Sequence, residues 1–253
     1  MDYLELCESI TEEIEDEIND LIGKKEASRQ IRIGADDKPT RLIDNRAEKA
    51  AMNLLKSEDV LLITEESGKV DFGEPECAVI LDPVDGTFNA TKDIPFYSVS
   101  VAVADLDLSK IKFGYIKDIP RDNIYYANRD KSYLNGNEIS VSQESELAKS
   151  SVSYYSYGVD KYKKSRLDQF VDRVRTLGCI SLEMCYVASG KLEGFVDVRG
   201  AGVMDIAAAS LIVRSAGGSF EVFSSNFPSK KVKKSTKSVA SNGLVHEDIK
   251  GVL

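Results

Sequence analysis

The chain has 253 residues, 42% hydrophobic and 30% charged, the make-up of an ordinary soluble protein with enough length for one large domain or two intimate lobes. Its net charge of −9 argues against nucleic acid as the default partner. The single histidine, His246, excludes a Ser-His-Asp triad, phosphohistidine transfer and multi-histidine metal sites, so the chemistry must run on carboxylates, hydroxyls, lysines or a metal.

Tyr3 to Ile22 carries Leu6, Ile10, Ile14, Ile18 and Leu21 at helical spacing. Acids stand where a signal peptide needs basic residues, and no apolar run approaches the ~20 residues of a membrane span. The expectation is a cytoplasmic protein with no membrane partner. The polar stretch "GKKEASRQIRIGADDKP" reads as loop or hairpin, and Lys24 to Pro39 is expected to cover a site near Asp44. A second helix is predicted over Leu42 to Leu55, and "VLLIT" and "CAVIL" read as buried strands. "YSVSVAVA", "IKFGYI" and "IYYAN" follow as strands, with a hairpin turn at Asn135-Gly136.

After about residue 147 strands and helices alternate: strand "SSVSYYSY", helix Lys161 to Thr176, helix Leu182 to Gly190, strand "GFVDV", and helix Met204 to Ala216 capped by Gly217-Gly218. Strands around "SFEVF" and "SVAS" and a final helix close the chain, with His246 expected on a solvated helix face. Lys230 to Lys237 forms one basic run, read as a solvated loop. Cys7, Cys77, Cys179 and Cys185 form no CxxC pair and read as small buried apolar residues.

The chemistry concentrates in "VILDPVDGTFNA". Asp82 ends an apolar run, Pro83 stiffens it, Asp85 follows, and the chain turns at Gly86. Two carboxylates at a buried strand end repel unless a basic side chain or a divalent cation lies between them. Mg²⁺ fits, because it takes oxygen ligands and sits with a few carboxylates and a substrate phosphate. Glu65 follows "VLLIT" and Asp205 opens "DIAAASLIVRSAGG"; alone, the first could be a turn acid and the second an N-cap. Brought together, Asp82 would bridge two ions, with Glu65 on one side and Asp85 and Asp205 on the other. Val84 would turn its carbonyl inward as a further ligand, and the Gly86 and Thr87 amides would face a phosphate. No GxxxxGK[ST] loop competes for that role.

In order and spacing, "ITEES", "LDPVDGT" and "VMDIAAASLIVRSAGG" resemble the metal motifs of the inositol monophosphatase superfamily. "PTRLID", "PFYSVSVAVA", "YLNGNEISVS" and "VASN" extend the resemblance over nearly the whole chain, and "GADDKPTRLID" looks most like the archaeal-type dual inositol-1-monophosphatases and fructose-1,6-bisphosphatases. The resemblance implies metal ligation by Glu65, Asp82, the Val84 carbonyl, Asp85 and Asp205. It implies that Asp44, Glu65 and Thr87 act on the attacking water, that Asp85, Gly86 and Thr87 hold the phosphate, and that Asp197 holds a sugar hydroxyl. Met204 stands where the family has tryptophan, and "ANRDKSYLNG" lacks the family's glycine-rich approach to the hairpin. The implied fold is the layered αβαβα sugar-phosphatase architecture, α+β over residues 1–147 and α/β over 148–253, the two lobes closing on the metals.

The implied reaction is hydrolysis of fructose-1,6-bisphosphate and inositol-1-phosphate by metal-activated water, with two or three Mg²⁺ ions (Mn²⁺ as a substitute) in a homodimer. A 3′-phosphoadenosine 5′-phosphate phosphatase of the same fold and a non-catalytic sugar-phosphate-binding regulator are the alternatives. A bisphosphate also needs a cation for the phosphate that stays. Arg199 is the first candidate, because arginine binds phosphate through a two-pronged fork, ahead of Lys161, Lys163, Lys164 and Arg166.

Overall fold

The computed structural model describes residues 1–35, 37, 39–157, 166–223 and 236–253. Helix α1 (Tyr3–Ile18) starts where the Asp2 carboxylate accepts the Leu4 amide at 2.9 Å, and it buries Leu6, Ile10, Ile14 and Ile18 along one stripe. It ends four residues before the predicted Ile22, yet the turn that follows still buries Leu21. The polar segment resolves into a hairpin of β1 (Gln30–Ile33) and β2 (Pro39–Arg41), which leads directly into α2 (Leu42–Leu55).

Next come β3 (Val60–Thr64), β4 (Gly68–Phe72), β5 (Cys77–Asp85), the short helix α3 (Thr87–Thr91), β6 (Ser98–Ala104), β7 (Ile111–Asp118), β8 (Asn123–Ala127), β9 (Ser132–Leu134) and β10 (Asn137–Ile139). These strands form an eight-stranded sheet in the order β10-β9-β8-β7-β6-β5-β3-β4. β5 runs parallel to β3 and antiparallel to β6. Asn135 and Gly136 make the expected two-residue turn, both with positive φ.

The rest of the chain supplies β11 (Ser151–Tyr155), β12 (Arg173–Arg175), α4 (Ile180–Ala188), β13 (Gly194–Ala201), α5 (Val203–Ser215), β14 (Ser219–Val222), β15 (Thr236–Ser241) and α6 (His246–Gly251), with a five-stranded sheet ordered β12-β11-β13-β15-β14. Two expectations fail here. The described part of the predicted helix Lys161 to Thr176 contains a short 3₁₀ turn and β12, which pairs in parallel with β11. Leu167, Phe170, Val171 and Val174 carry a helical period, but Val174 lies opposite Val152 on the sheet edge and Phe170 is exposed, so strand pairing overrides local pattern. His246 is buried rather than solvated, with Nδ1 2.8 Å from the Ser241 hydroxyl. Most of the Lys230 to Lys237 run lies outside the described residues.

Alternation along the strands sorts the core into layers. On β6, Val99, Val101 and Val103 pack with α1 and α2, while Ala102 and Ala104 face α4 and α5. On the small sheet, Phe195 and Ala240 face the same two helices, while Val196 and Val239 face α6. The sequence of layers is therefore αβαβα, as the resemblance implied, with α4 and α5 sandwiched between the sheets. A β-carbon at Gly114 of β7 would lie 2.7 Å from the Ala208 carbonyl oxygen of α5. Gly114→Ala must push α5 off the sheet; overpacking of this kind costs roughly 1–3 kcal/mol. Thermal denaturation should show a lower Tm, by about 2–4 °C per kcal/mol in a chain of this size. An unchanged Tm would mean that the contact is not tight.

Candidate active site

The site begins with a break in strand pairing. Asp82 lies opposite Ser100 and Asp85 opposite Ser98, so three steps on β5 match two on β6. In a regular strand, residues three apart point to opposite faces. The extra residue of this bulge brings Asp82 and Asp85 to the same face, the one carrying Ser98 and Ser100. That face looks toward the N-termini of α4 and α5. Gly86 ends the strand at φ +88°, and a β-carbon there would meet Cys179 and two backbone oxygens within about 3.2 Å.

Each aspartate is held by a backbone amide. Asp82 Oδ1 accepts from Val84 N at 3.0 Å, Asp85 Oδ2 from Ser181 N at 2.6 Å, and Asp205 Oδ2 from Gly202 N at 2.7 Å. The Cys179 thiol donates to Asp85 Oδ2 at 3.2 Å, which gives one of the buried cysteines a polar task. Carboxylate oxygens of Asp82, Asp85 and Asp205 come within 4.8 Å of one another. Burial, and then the charges of Asp85, Asp205 and Glu65, push the Asp82 carboxyl well above its ordinary pKa. Burial also raises that of Asp85, although the Ser181 and Cys179 donors oppose the shift. Among the described residues no lysine or arginine pairs with Asp82 or Asp85. Of the two compensations open at the sequence level, the geometry therefore fits the cation: a hard, all-oxygen donor set suits Mg²⁺ or Mn²⁺. A second acidic group, Glu221, His246 and Glu247, already holds the Lys250 ammonium, 2.8 Å from Glu221 and 3.1 Å from Glu247.

Beside the aspartates lies a cavity of about 370 Å³, lined by Asp44, Glu65, Gly86, Thr87 and Gly178. The Thr87 hydroxyl is 3.0 Å from both Asp44 Oδ1 and the Val84 carbonyl oxygen. It has one proton, so it donates to one and can accept from a protonated Asp44 when it turns to the other. Burial raises the Asp44 pKa to about 7, with the Thr87 hydrogen bond opposing, so both arrangements are within reach near neutrality. Ser28, Gln30 and Pro39 also line the cavity, which puts the Lys24 to Pro39 segment at the expected place; Asp36 lies outside the described residues.

Sequence reasoning missed three supports. Arg41 lines the cavity, and its charge lowers the Asp44 pKa against burial. Glu48 is buried beneath the β3–β4 turn, where it accepts from Thr64 Oγ1 at 2.9 Å and Glu66 N at 3.1 Å and so fixes the turn carrying Glu65. Glu66 is buried and accepts from the Thr40 hydroxyl. Only the burial of acids at helical spacing on α2 could have signalled Glu48.

Asp197 is fully buried, with its oxygens taken by Arg199 N at 2.7 Å, Gly200 N at 3.0 Å and the Arg199 guanidinium at 3.0 Å. Arg199 in turn lies between the rings of Tyr155 and Tyr157, at 4.3 and 4.1 Å. Tyr155 OH accepts from Gly178 N at 2.9 Å, which links the arginine to the cavity wall. Lys161, Lys163 and Lys164 lie outside the described residues, and Arg166 is exposed.

The inositol monophosphatase family model matches residues 4–252. The chain belongs to the inositol monophosphatase family. The fructose-1,6-bisphosphatase/inositol-1-monophosphatase of Methanothermobacter thermautotrophicus is 36% identical over 224 residues, covering 83% of this chain and 80% of that protein. The bifunctional NADP phosphatase/NAD kinase of Methanococcus maripaludis is 36% identical over 243 residues, but this family member covers only 43% of its length, with 86% of its own chain matched. The structure of the MJ0109 gene product, an inositol monophosphatase-fructose 1,6 bisphosphatase, superposes with a TM-score of 0.87 at 30% identity over 100% of both chains.

The raised carboxyl pKa values set a test. An acid whose pKa is raised by folding stabilises the fold while protonated and loses that contribution as pH rises through its folded value, so the metal-free fold loses stability as the buried Asp82 and Asp85 ionise. A bound cation takes over from the protons. Saturating Mg²⁺ should therefore raise Tm more at about pH 8 than at about pH 5. Equal shifts, or none, would refute a carboxylate metal centre.

Proposed function

We propose that the chain is a divalent-metal-dependent phosphomonoesterase that hydrolyses fructose-1,6-bisphosphate and inositol-1-phosphate. The observation that carries this reading is the convergence of Asp82, Asp85 and Asp205 with no basic residue among the described residues paired to Asp82 or Asp85. In it, Glu65, Asp82, the Val84 carbonyl, Asp85 and Asp205 hold two or three Mg²⁺ ions, which Mn²⁺ can replace. Residues 1–147 form the lobe with most ligands, and residues 148–253 the lobe that closes it through Asp205.

Bound cations supply Lewis-acid polarisation and neutralise charge on the phosphoryl oxygens. The chain's own groups do the rest. Thr87 Oγ, fixed against Asp44, orients the attacking water together with Glu65, and the Asp44 carboxylate accepts its proton. The amides of Gly86 and Thr87 steady the phosphate as the ester P–O bond opens, and the departing alcohol oxygen takes up a proton from solvent water. Arg199, held in orientation by Asp197, meets the phosphate that is not cleaved. In this reading Asp197 acts through Arg199 rather than on a sugar hydroxyl, because its oxygens are already occupied. The reading also takes the protein as a cytoplasmic homodimer; four buried free cysteines suit a reducing compartment, and no helix among the described residues is long and apolar enough to cross a membrane.

A second reading, a nucleotide phosphatase acting on NADP, draws on the relatives in Methanococcus maripaludis and Methanocaldococcus jannaschii that are named NADP phosphatase/NAD kinase. A non-catalytic regulator draws on the 31% identity to a Nus factor SuhB of Pasteurella multocida. Phosphate release from fructose-1,6-bisphosphate, inositol-1-phosphate, NADP and 3′-phosphoadenosine 5′-phosphate, each with Mg²⁺ and with EDTA, separates these. Turnover of the first two with Mg²⁺ and none in EDTA is expected. Preference for either nucleotide would replace the sugar-phosphate assignment, and silence on all four would favour the regulator.

Asp85→Asn should lower kcat on the order of 10²-fold or more while the fold survives, since it removes charge stabilisation and also relieves repulsion in the metal-free site. Normal turnover would remove Asp85 from the centre. Arg199→Ala should cut kcat/KM for the bisphosphate ~10-fold more than for the monophosphate, the scale of a hydrogen bond to a charged group. The ratio is independent of how much enzyme is folded, so equal losses would take Arg199 out of that role.

A further inference from the structure

On the far side of α5 from the acidic centre lies a second cavity, of about 390 Å³, at the C-terminal half of that helix. Lys110 from the β6–β7 turn, Arg129 from the β8–β9 turn and Arg214 from α5 all line it, and among the described residues no carboxylate does. None of the three forms an ion pair among the described residues, in a chain whose net charge is −9. The nearby Asp105 is committed elsewhere, to Lys112 at 2.7 Å. Three cations on the wall of one cavity, without a counter-charge among the described residues, give an acidic chain a local positive potential that favours an anion there.

The cations also stand on fixed supports. The Arg214 guanidinium donates to the Phe220 carbonyl at 2.9 Å and lies over the Phe220 ring. Ser215 Oγ donates to the Asn128 carbonyl at 2.7 Å, tying the turn that bears Arg129 to the helix that bears Arg214. The Asn128 side chain accepts from Asp130 N and Lys131 N, closing that turn. The turn that bears Lys110 is closed by Asp105 N donating to the Lys110 carbonyl at 3.0 Å and by Ser109 N donating to Asp107 Oδ1 at 2.9 Å. Ile111, Leu211 and Val222 supply an apolar wall, and the volume lies within the usual range of small-molecule sites.

We propose that this cavity is a binding site for a small organic diphosphate, with Lys110, Arg129 and Arg214 on its phosphates and the apolar wall against its organic part. Arg214 is nine residues beyond Asp205, about 14 Å along the helix, so the ligand is distinct from a substrate in the catalytic cavity. The site does not depend on the catalytic reading. With EDTA present no cation can recruit an anion to the acidic centre, so calorimetric titration of the metal-free full chain with ADP, read against variants of this cavity, reports on this site.

ADP should bind, more weakly as salt rises. Lys110→Gln with Arg129→Gln, both exposed positions, should weaken binding ~10-fold or more without changing Tm or the rate of phosphate release in ADP-free buffer. Arg214→Gln should weaken it to a similar extent. Absence of binding at millimolar ADP, or binding that the double variant leaves unchanged, would overturn the proposal.

Discussion

One extra residue in β5 organises this molecule. Without the bulge between Asp82 and Asp85, the two carboxylates would point to opposite faces of the sheet, one into the α1–α2 layer and one toward α4 and α5. With it they share a face, and their repulsion becomes the central electrostatic fact of the fold. Pro83 suits the position because it has no amide to donate to the ladder, and Gly86 suits the next turn because its φ is positive. The consequence reaches well beyond the strand. A site that concentrates negative charge in a buried place can persist only if the surroundings supply donors.

The middle helical layer supplies them. α4 directs the Ser181 amide to Asp85, and the entry to α5 directs the Gly202 amide to Asp205. These helices can sit this close because they meet the large sheet through small residues: Ala207, Ala208 and Ala209 on α5, and Gly114 beneath them on β7. Packing and electrostatics are therefore one constraint. If α5 stood farther from the sheet, Asp205 would leave the cluster of three carboxylates.

Much of this was legible in the sequence because it repeats with a period. α1 and α2 show apolar residues at helical spacing, α4 and α5 are apolar on nearly every side as helices between two sheets must be, and β6 alternates cleanly between its two packed faces. The aspartates of "LDPVDGT" were legible as a charge problem, Glu65 and Asp205 as acids at the ends of neighbouring elements, and the resemblance grouped them as one ligand set. What could not be read was anything decided by distant pairing. "RLDQFVDRVRTLG" has a helical period but forms a short 3₁₀ turn and a three-residue strand beside β11, and "GKVDF" alternates over too few residues to stand out until β3 lies beside it. His246 lacks a local cue for burial, which comes from Ser241 and Glu221 on the neighbouring sheet. Glu48 and Arg41 have the same history: each is one charged residue on or before an amphipathic helix, and only the tertiary fold turns it toward the site.

The charge distribution carries the last step. An acidic protein that takes anionic substrates must reverse the sign of its potential locally, and the carboxylate centre does the opposite until it is loaded. Among the described residues, two fixed positive groups are held back from Asp82 and Asp85. Arg41 stands on the wall and moderates Asp44, whose raised pKa would otherwise climb further. Arg199 is anchored by Asp197 and flanked by two tyrosines, so it cannot swing across to neutralise Asp82 or Asp85. A basic side chain inside the cluster would relieve the repulsion and stabilise the empty fold, but it would also occupy the space a cation needs. Amides on the carboxylates, with no lysine or arginine among the described residues paired to Asp82 or Asp85, leave those two acids desolvated and mutually repelling, a local sacrifice of stability of the kind expected at a functional site.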